Sequence, residues 1–144
     1  MKLGIRSIRY VGLDDCADFG QLPPGSAISL ASAFSSTPKT LPFTPETADL
    51  RENWKYDVGG RRSSVSFAGE IRARKEEYRN TLNALTGRRC VFLIDTIDGK
   101  TYIIGSTSFP PTFTWSDLVS GISKSAFSIS IACDSLHGVL FVAQ

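Results

Sequence analysis

The chain is poor in the residues that carry most side-chain chemistry. It has one histidine, His137, one methionine, and three scattered cysteines, Cys16, Cys90 and Cys133, in 144 residues. A zinc site needs histidine and cysteine ligands at close spacing, and these cysteines do not cluster. Nucleophilic catalysis needs a nucleophile, a base and an orienting group in contact. Serines are plentiful, but none sits in a G-x-S-x-G elbow and no second histidine exists to serve as base. The reading is therefore a non-enzymatic protein without catalytic residues, metal, cofactor or identified small-molecule substrate. His137 reads as an exposed or capping residue in the turn before the last strand. Three cysteines, odd in number, read as reduced thiols, Cys90 and Cys133 being buried inside strands.

Charge of one sign is also missing. Sixteen basic residues face fourteen acidic ones, for a formal net charge of +2. That balance gives no electrostatic case for nucleic acid or an anionic membrane as partner. The middle of the chain is locally basic at Arg61, Arg62, Arg72, Arg74, Lys75, Arg79, Arg88 and Arg89, but Glu70, Glu76 and Glu77 dilute that field into a solvated surface. Long apolar runs are absent as well. Arg6 and Arg9 interrupt the first segment, which excludes a secretory h-region, and no stretch has the length of a membrane span. A soluble protein made in the cytoplasm is expected.

Paired carboxylates carry little. Asp95 and Asp98 flank a hairpin tip, where aspartate is favoured for turn geometry. Asp14, Asp15 and Asp18 lack the glycine and the distal glutamate of a calcium loop.

What is present is strand patterning. Residues 2–13 change the parity of their apolar positions, as in a strand with a bulge or bend, or a solvent-facing edge. A polar turn follows at residues 14–18, a Pro23-Pro24-Gly25 break, and a weak strand over 27–33. Residues 34–51 are rich in Ser, Thr and Pro. This stretch reads as a long surface loop, or as an arm that orders against a neighbouring subunit through Pro38, Pro42, Phe43 and Pro45. Trp54, Tyr56 and Val58 alternate with polar residues, as do Val65 and Phe67, and the two segments form a hairpin around Gly59-Gly60.

The period then changes. Ile71, Tyr78, Leu82 and Leu85 share one face of a helix predicted over residues 70–86, with Gly87 at its C-terminal end. Directly behind it, Cys90 to Ile94 is apolar on both faces. Asp98-Gly99 suits a tight reversal, and Thr101 to Ile104 returns. The first run is expected to lie between the helix and a second sheet. A short strand over 112–115, a strict alternation over 126–133, and a last strand over 138–143 complete the chain.

Seven or eight strands around one helix argue for a single α+β domain over residues 1–144, mainly an antiparallel β-sandwich or split barrel with a flanking helix. They argue against a doubly wound fold, in which strand and helix alternate.

The helix followed by Cys90-Val-Phe-Leu-Ile-Asp-Thr-Ile-Asp-Gly-Lys-Thr-Tyr-Ile-Ile-Gly105-Ser106 resembles a segment of small tail-associated virion proteins of phages and prophages of gut Bacteroidetes. The resemblance spans roughly residues 65–142, and the glycine-rich close of such proteins is reduced here to His137-Gly138. It implies a tail-tube or tail-joining subunit located in the virion, assembled as a homo-oligomeric ring and in contact with other virion proteins. The alternative is a small monomeric ligand- or protein-binding domain with an aromatic groove of Trp54, Tyr56, Phe109, Phe113 and Trp115.

Overall fold

The computed structural model describes residues 4–16, 27–29, 34–35, 37–41, 48–58, 60–71, 76–106, 109–118, 126–135, 138 and 140–142. Among them the chain forms ten strands and one α-helix: β1 (Ile5–Gly12), β2 (Ala27–Ile28), β3 (Lys39–Leu41), β4 (Asp49–Asp57), β5 (Gly60–Ile71), α1 (Glu76–Leu85), β6 (Cys90–Thr96), β7 (Thr101–Ile104), β8 (Thr112–Leu118), β9 (Ala126–Ser135) and β10 (Leu140–Val142). They make a six-stranded sheet, ordered β2-β10-β7-β6-β1-β3, and a four-stranded sheet, ordered β4-β5-β9-β8. Every pairing is antiparallel except β10 with β2. The fold is an α+β sandwich.

The alternating segments put their apolar parity into the sandwich. Val65, Phe67 and Ile71 of β5 lie opposite Cys133, Ile131 and Phe127 of β9. All six are buried in one cluster with Ile8, Leu41, Phe92, Ile94 and Ile104 of the facing sheet. The other parity of β9, Ser128, Ser130 and Ala132, is exposed. Such a sheet keeps one face dry and one wet.

β6 is buried along its whole length, as its two-sided apolar run requires. Its two faces are covered differently from the expectation. Cys90, Phe92 and Ile94 meet both the helix residues Leu82 and Leu85 and the four-stranded sheet. Val91 and Leu93 face a second, smaller core with Val11, Ile28, Phe34, Ile103 and Leu140, against which Leu13 and Cys16 pack. The helix and the second sheet thus share one side of β6, and the segment after β1 covers the other.

The helix starts later than its periodicity predicts. Glu70 and Ile71 belong to β5, where they pair with Ser128 and Phe127. Arg74 lies outside the described residues. Tyr78, Leu82 and Leu85 face the core as expected, and Gly87 at φ +84° ends the helix beside the Arg88 N–H to Leu85 carbonyl bond. Side chains fix the helix to β8. The Arg79 guanidinium lies 2.8 Å from Asp117 and 5.5 Å from the Trp115 ring centroid, and Trp115 Nε1 donates to Thr86 Oγ1 at 2.9 Å.

Residues 34–51 contain regular structure. Lys39–Leu41 form β3 on the edge beside β1, and Asp49–Arg51 open β4. Burial of Leu41 in the main core explains why so short a strand holds. Pro38 is half-buried just before β3, while Pro42, Phe43 and Pro45 lie outside the described residues, as does His137. The parity change in β1 is a register shift between Ile5 and Ser7.

Candidate functional site

Polar side chains converge most densely at Asp95. The sequence reading took this residue as turn chemistry, but it stands within β6, and only Asp98 belongs to the turn, where it accepts a hydrogen bond from Thr96 Oγ1. Cross-strand register brings Ser7 of β1 and Thr101 of β7 to either side of Asp95. Arg9 Nε and Nη2 donate to its two oxygens at 2.9 Å, Ser7 Oγ donates at 2.8 Å and Thr101 Oγ1 at 2.7 Å. Burial pushes the carboxyl up, and the bonds from Arg9, Thr101 and Ser7, with the Arg9 charge, outweigh it and hold the pKa below the ordinary carboxylate value. A carboxylate so fully engaged is held ionised and offers no lone pair to a substrate. Its role is to fix the register of β1, β6 and β7.

The cysteines are free thiols. Desolvation, reinforced by Asp134, pushes Cys133 up to about 12, and desolvation with Asp15 and Cys90 does the same to Cys16. Burial also raises Cys90, against the lowering effect of Arg88. The thiolate is the reactive form. Labelling of the native protein by a thiol reagent at pH 8 is therefore expected to be at least about a hundredfold slower than in urea. Equal rates would show that the thiols are open to solvent.

Among the described residues no group of three His, Cys, Asp or Glu side chains could hold a metal ion. No described helix is long and apolar enough to cross a membrane. A depression of about 70 Å³ lined by Tyr10, Gly12, Asp15, Lys39, Arg88 and Cys90 is far smaller than the pockets that hold drug-sized ligands.

The five aromatic residues of the groove reading fall on two opposite sides of the molecule. Phe113 and Trp115 stand on β8, one edge of the four-stranded sheet. Phe113 stacks on Phe92 at 5.7 Å, Trp115 meets Phe127 edge-on at 5.9 Å, and Phe109 packs against the same core. Trp54 and Tyr56 stand on β4, the other edge.

Around β4 the surface is unusual. The β4–β5 ladder runs from Asp49↔Ala68 to Asp57↔Gly60, whereas β9 reaches only to Ser63↔Ser135. Among the described residues, the pairs Lys55↔Arg62, Tyr56↔Arg61 and Asp57↔Gly60 lie beyond the β9 pairing. Tyr56 carries the core parity of its strand, yet it is 87% exposed, and Val58 at the turn is fully exposed. Apart from Ile97, these are the exposed large apolar side chains among the described residues. Trp54 is held between the Arg61 guanidinium, 4.4 Å from its ring centroid, and Glu52, which accepts from its Nε1 at 3.0 Å. A hairpin tip that displays two apolar side chains on an ordered aromatic base is a candidate contact surface. The sequence showed the hairpin, and only the sheet order shows that β4 is an edge.

No family model and no curated protein matches this chain. Two solved structures are similar to it. One, the tail of an empty gene transfer agent (GTA) particle computed with helical refinement in C6 symmetry, has a chain 16% identical, with a TM-score of 0.47 over 76% of this chain and 89% of that one. The other, the virion of a native GTA particle, has a chain 15% identical, with a TM-score of 0.47 over 74% of this chain and 89% of that one. At these values the likeness is a loose one of backbone path, and it assigns no role.

Proposed function

We propose that the protein is a non-enzymatic structural subunit of a phage or prophage tail, a tail-tube or tail-joining component of the virion that assembles with copies of itself and with other virion proteins. One observation carries the self-assembly. The four-stranded sheet ends in β4, nine residues long, continuously paired to β5 and bare of any described strand on its outer side. Soluble proteins blunt such edges with proline, bulges, short strands or charged side chains. Here charge is present at Arg51, Glu52 and Lys55, while proline is absent from β4 and the ladder has no bulge. The resemblance of residues 65–142 to tail-associated virion proteins supports the setting, and the exposed side of the 34–51 segment, beside Pro38 just before β3, is a second candidate contact.

Light scattering of the purified chain over a range of concentrations, with electron microscopy of the same samples, tests this. Self-association into rings or tubes is expected. A monomer at the highest concentration, without such particles, would overturn the proposal.

A further inference from the structure

We infer that Asp98-Gly99, at the tip of the β6–β7 hairpin, is a site of spontaneous backbone isomerisation, and that the Thr96 hydroxyl holds the reaction in check while the turn is closed. The modification needs no enzyme and no co-reactant but water. It stands whether or not the protein self-assembles.

The chemistry is set by neighbours in sequence. The Gly99 main-chain nitrogen attacks Cγ of the Asp98 carboxyl in its protonated form. The N–Cγ bond forms, the Cγ–O bond breaks, and the hydroxyl leaves as water with the amide proton, closing a five-membered succinimide. Water then reopens that ring. Cleavage of the N–Cγ bond restores aspartate, and cleavage at the main-chain carbonyl leaves the chain running through Cγ, an isoaspartate of unchanged mass. A side chain on the following residue obstructs the attack, so glycine is the most reactive neighbour. Asp98-Gly99 is the one place in the chain where glycine follows an aspartate or an asparagine.

The structure shows both an open approach and a hold. Asp98 and Gly99 are exposed, and a Cβ added to Gly99 would meet nothing within 4 Å. Against this, the Gly99 N–H donates to the Thr96 carbonyl at 3.1 Å, and Thr96 Oγ1 donates to Asp98 Oδ1. The reacting nitrogen and the reacting carboxyl are thus tied to one residue, the first through its main chain and the second through its side chain. Thr96 is itself only 3% exposed, and it closes the turn by donating its N–H to the Lys100 carbonyl at 2.9 Å. The Lys100 N–H donates to Thr96 Oγ1 at 3.2 Å, which fixes the hydroxyl from its other side. The Thr96 hydroxyl, with the Lys100 N–H and charge adding to it, also holds the Asp98 carboxyl below its ordinary pKa. The ionised form is unreactive, because its oxygen cannot leave as water. Cyclisation needs the reacting atoms aligned and in contact, and a carboxyl pinned to Thr96 is withheld from that alignment.

An isoaspartate adds one atom to the main chain inside the turn. The first rung beyond the turn is Asp95↔Thr101, so the change reaches the cluster that ties β1, β6 and β7 together.

Incubation near neutral pH, with isoaspartate read as resistance of the residue-98 peptide to Asp-N protease at unchanged mass, tests this. The unchanged protein is compared folded and in guanidinium chloride, beside Thr96→Val, which removes the hydroxyl, and Thr96→Ser, which keeps it, each checked for folding by circular dichroism. Isomerisation is expected to be at least about tenfold slower in the folded unchanged protein than in denaturant, and at least about threefold faster in folded Thr96→Val than in the folded unchanged protein. Thr96→Ser is expected to stay slow when folded, and all three chains to react alike in denaturant. No isoaspartate in denaturant would overturn the site. Equal rates in the folded and unfolded unchanged protein, or a folded Thr96→Val as slow as the unchanged protein, would overturn the hold. The comparison of folded with unfolded unchanged protein decides even where Thr96→Val does not fold.

Discussion

Replacing Asp95 with alanine is expected to destabilise the protein by about 2 to 4 kcal/mol, somewhat less than the roughly 3 to 5 kcal/mol for breaking a fully buried ion pair because the Arg9 side chain is 26% exposed. The argument rests on what stays behind. Arg9 would keep its place between strands with its side chain 26% exposed, so water replaces its lost partner only in part. The Ser7 and Thr101 hydroxyls lose their shared acceptor. At the scaling for a domain of this size, the melting temperature falls by roughly 10 °C. Changing both partners together, Arg9→Met with Asp95→Leu, is expected to cost less than the single change, because no orphaned charge remains.

The same site sets a pH dependence. Its folded carboxyl pKa lies below the unfolded value, so the folded state binds fewer protons there. The stabilisation is complete above the unfolded value of about 4 and is lost as pH falls through the folded one. Urea unfolding at a series of pH values should show that loss in the unchanged protein and a flatter profile in Asp95→Asn. A cost below about 0.5 kcal/mol for Asp95→Ala, the scale of a surface change, would refute the structural role.

This cluster also marks where sequence reasoning stops. Phe127, Ile129 and Ile131 announce a half-buried strand by alternation alone, and Asp98-Gly99 announces a reversal that the chain makes with Gly99 at φ +90°. Those signals are local. Arg9 and Asp95 are 86 residues apart, and only the β1–β6 pairing joins them. Ile71 fits a helical period as well as a strand, and its pairing with Phe127 decides for the strand. Lys39–Leu41 is too short and too close to proline to read as a strand, and the sheet beside it supplies the reason it forms. The placement of the aromatic residues was hidden for the same reason. Trp54, Tyr56, Phe113 and Trp115 all sit in alternating segments, but composition is silent on the order β4-β5-β9-β8 that sets them at opposite edges. That order also creates the candidate contact surface.

Gly105→Ala is expected to cost about 3 kcal/mol, more than alanine at any glycine whose surroundings are open. Gly105 sits at φ +93°, where an L side chain is strained by about 1 to 2 kcal/mol. Space adds the rest. A Cβ there would lie 2.5 Å from Pro111 Cδ, 3.0 Å from Pro111 Cγ and 3.4 Å from the Phe109 carbonyl oxygen. A proline ring has no rotamer that swings it aside, so relief must come from the backbone. That backbone is tied: the Ser106 N–H donates to the Phe109 carbonyl, and the Phe109 N–H donates to Ser106 Oγ, both at 3.2 Å. The Phe109 carbonyl also accepts from Cys133 Sγ at 3.3 Å, which anchors the crossing from β7 of one sheet to β8 of the other against β9. Gly99→Ala is the control. Gly99 has a similar φ of +90° with nothing within 4 Å of the added carbon, so it should pay only the conformational cost of about 1 to 2 kcal/mol. Urea unfolding of the two variants separates the contributions, and equal losses would show that the Pro111 contact relaxes without cost.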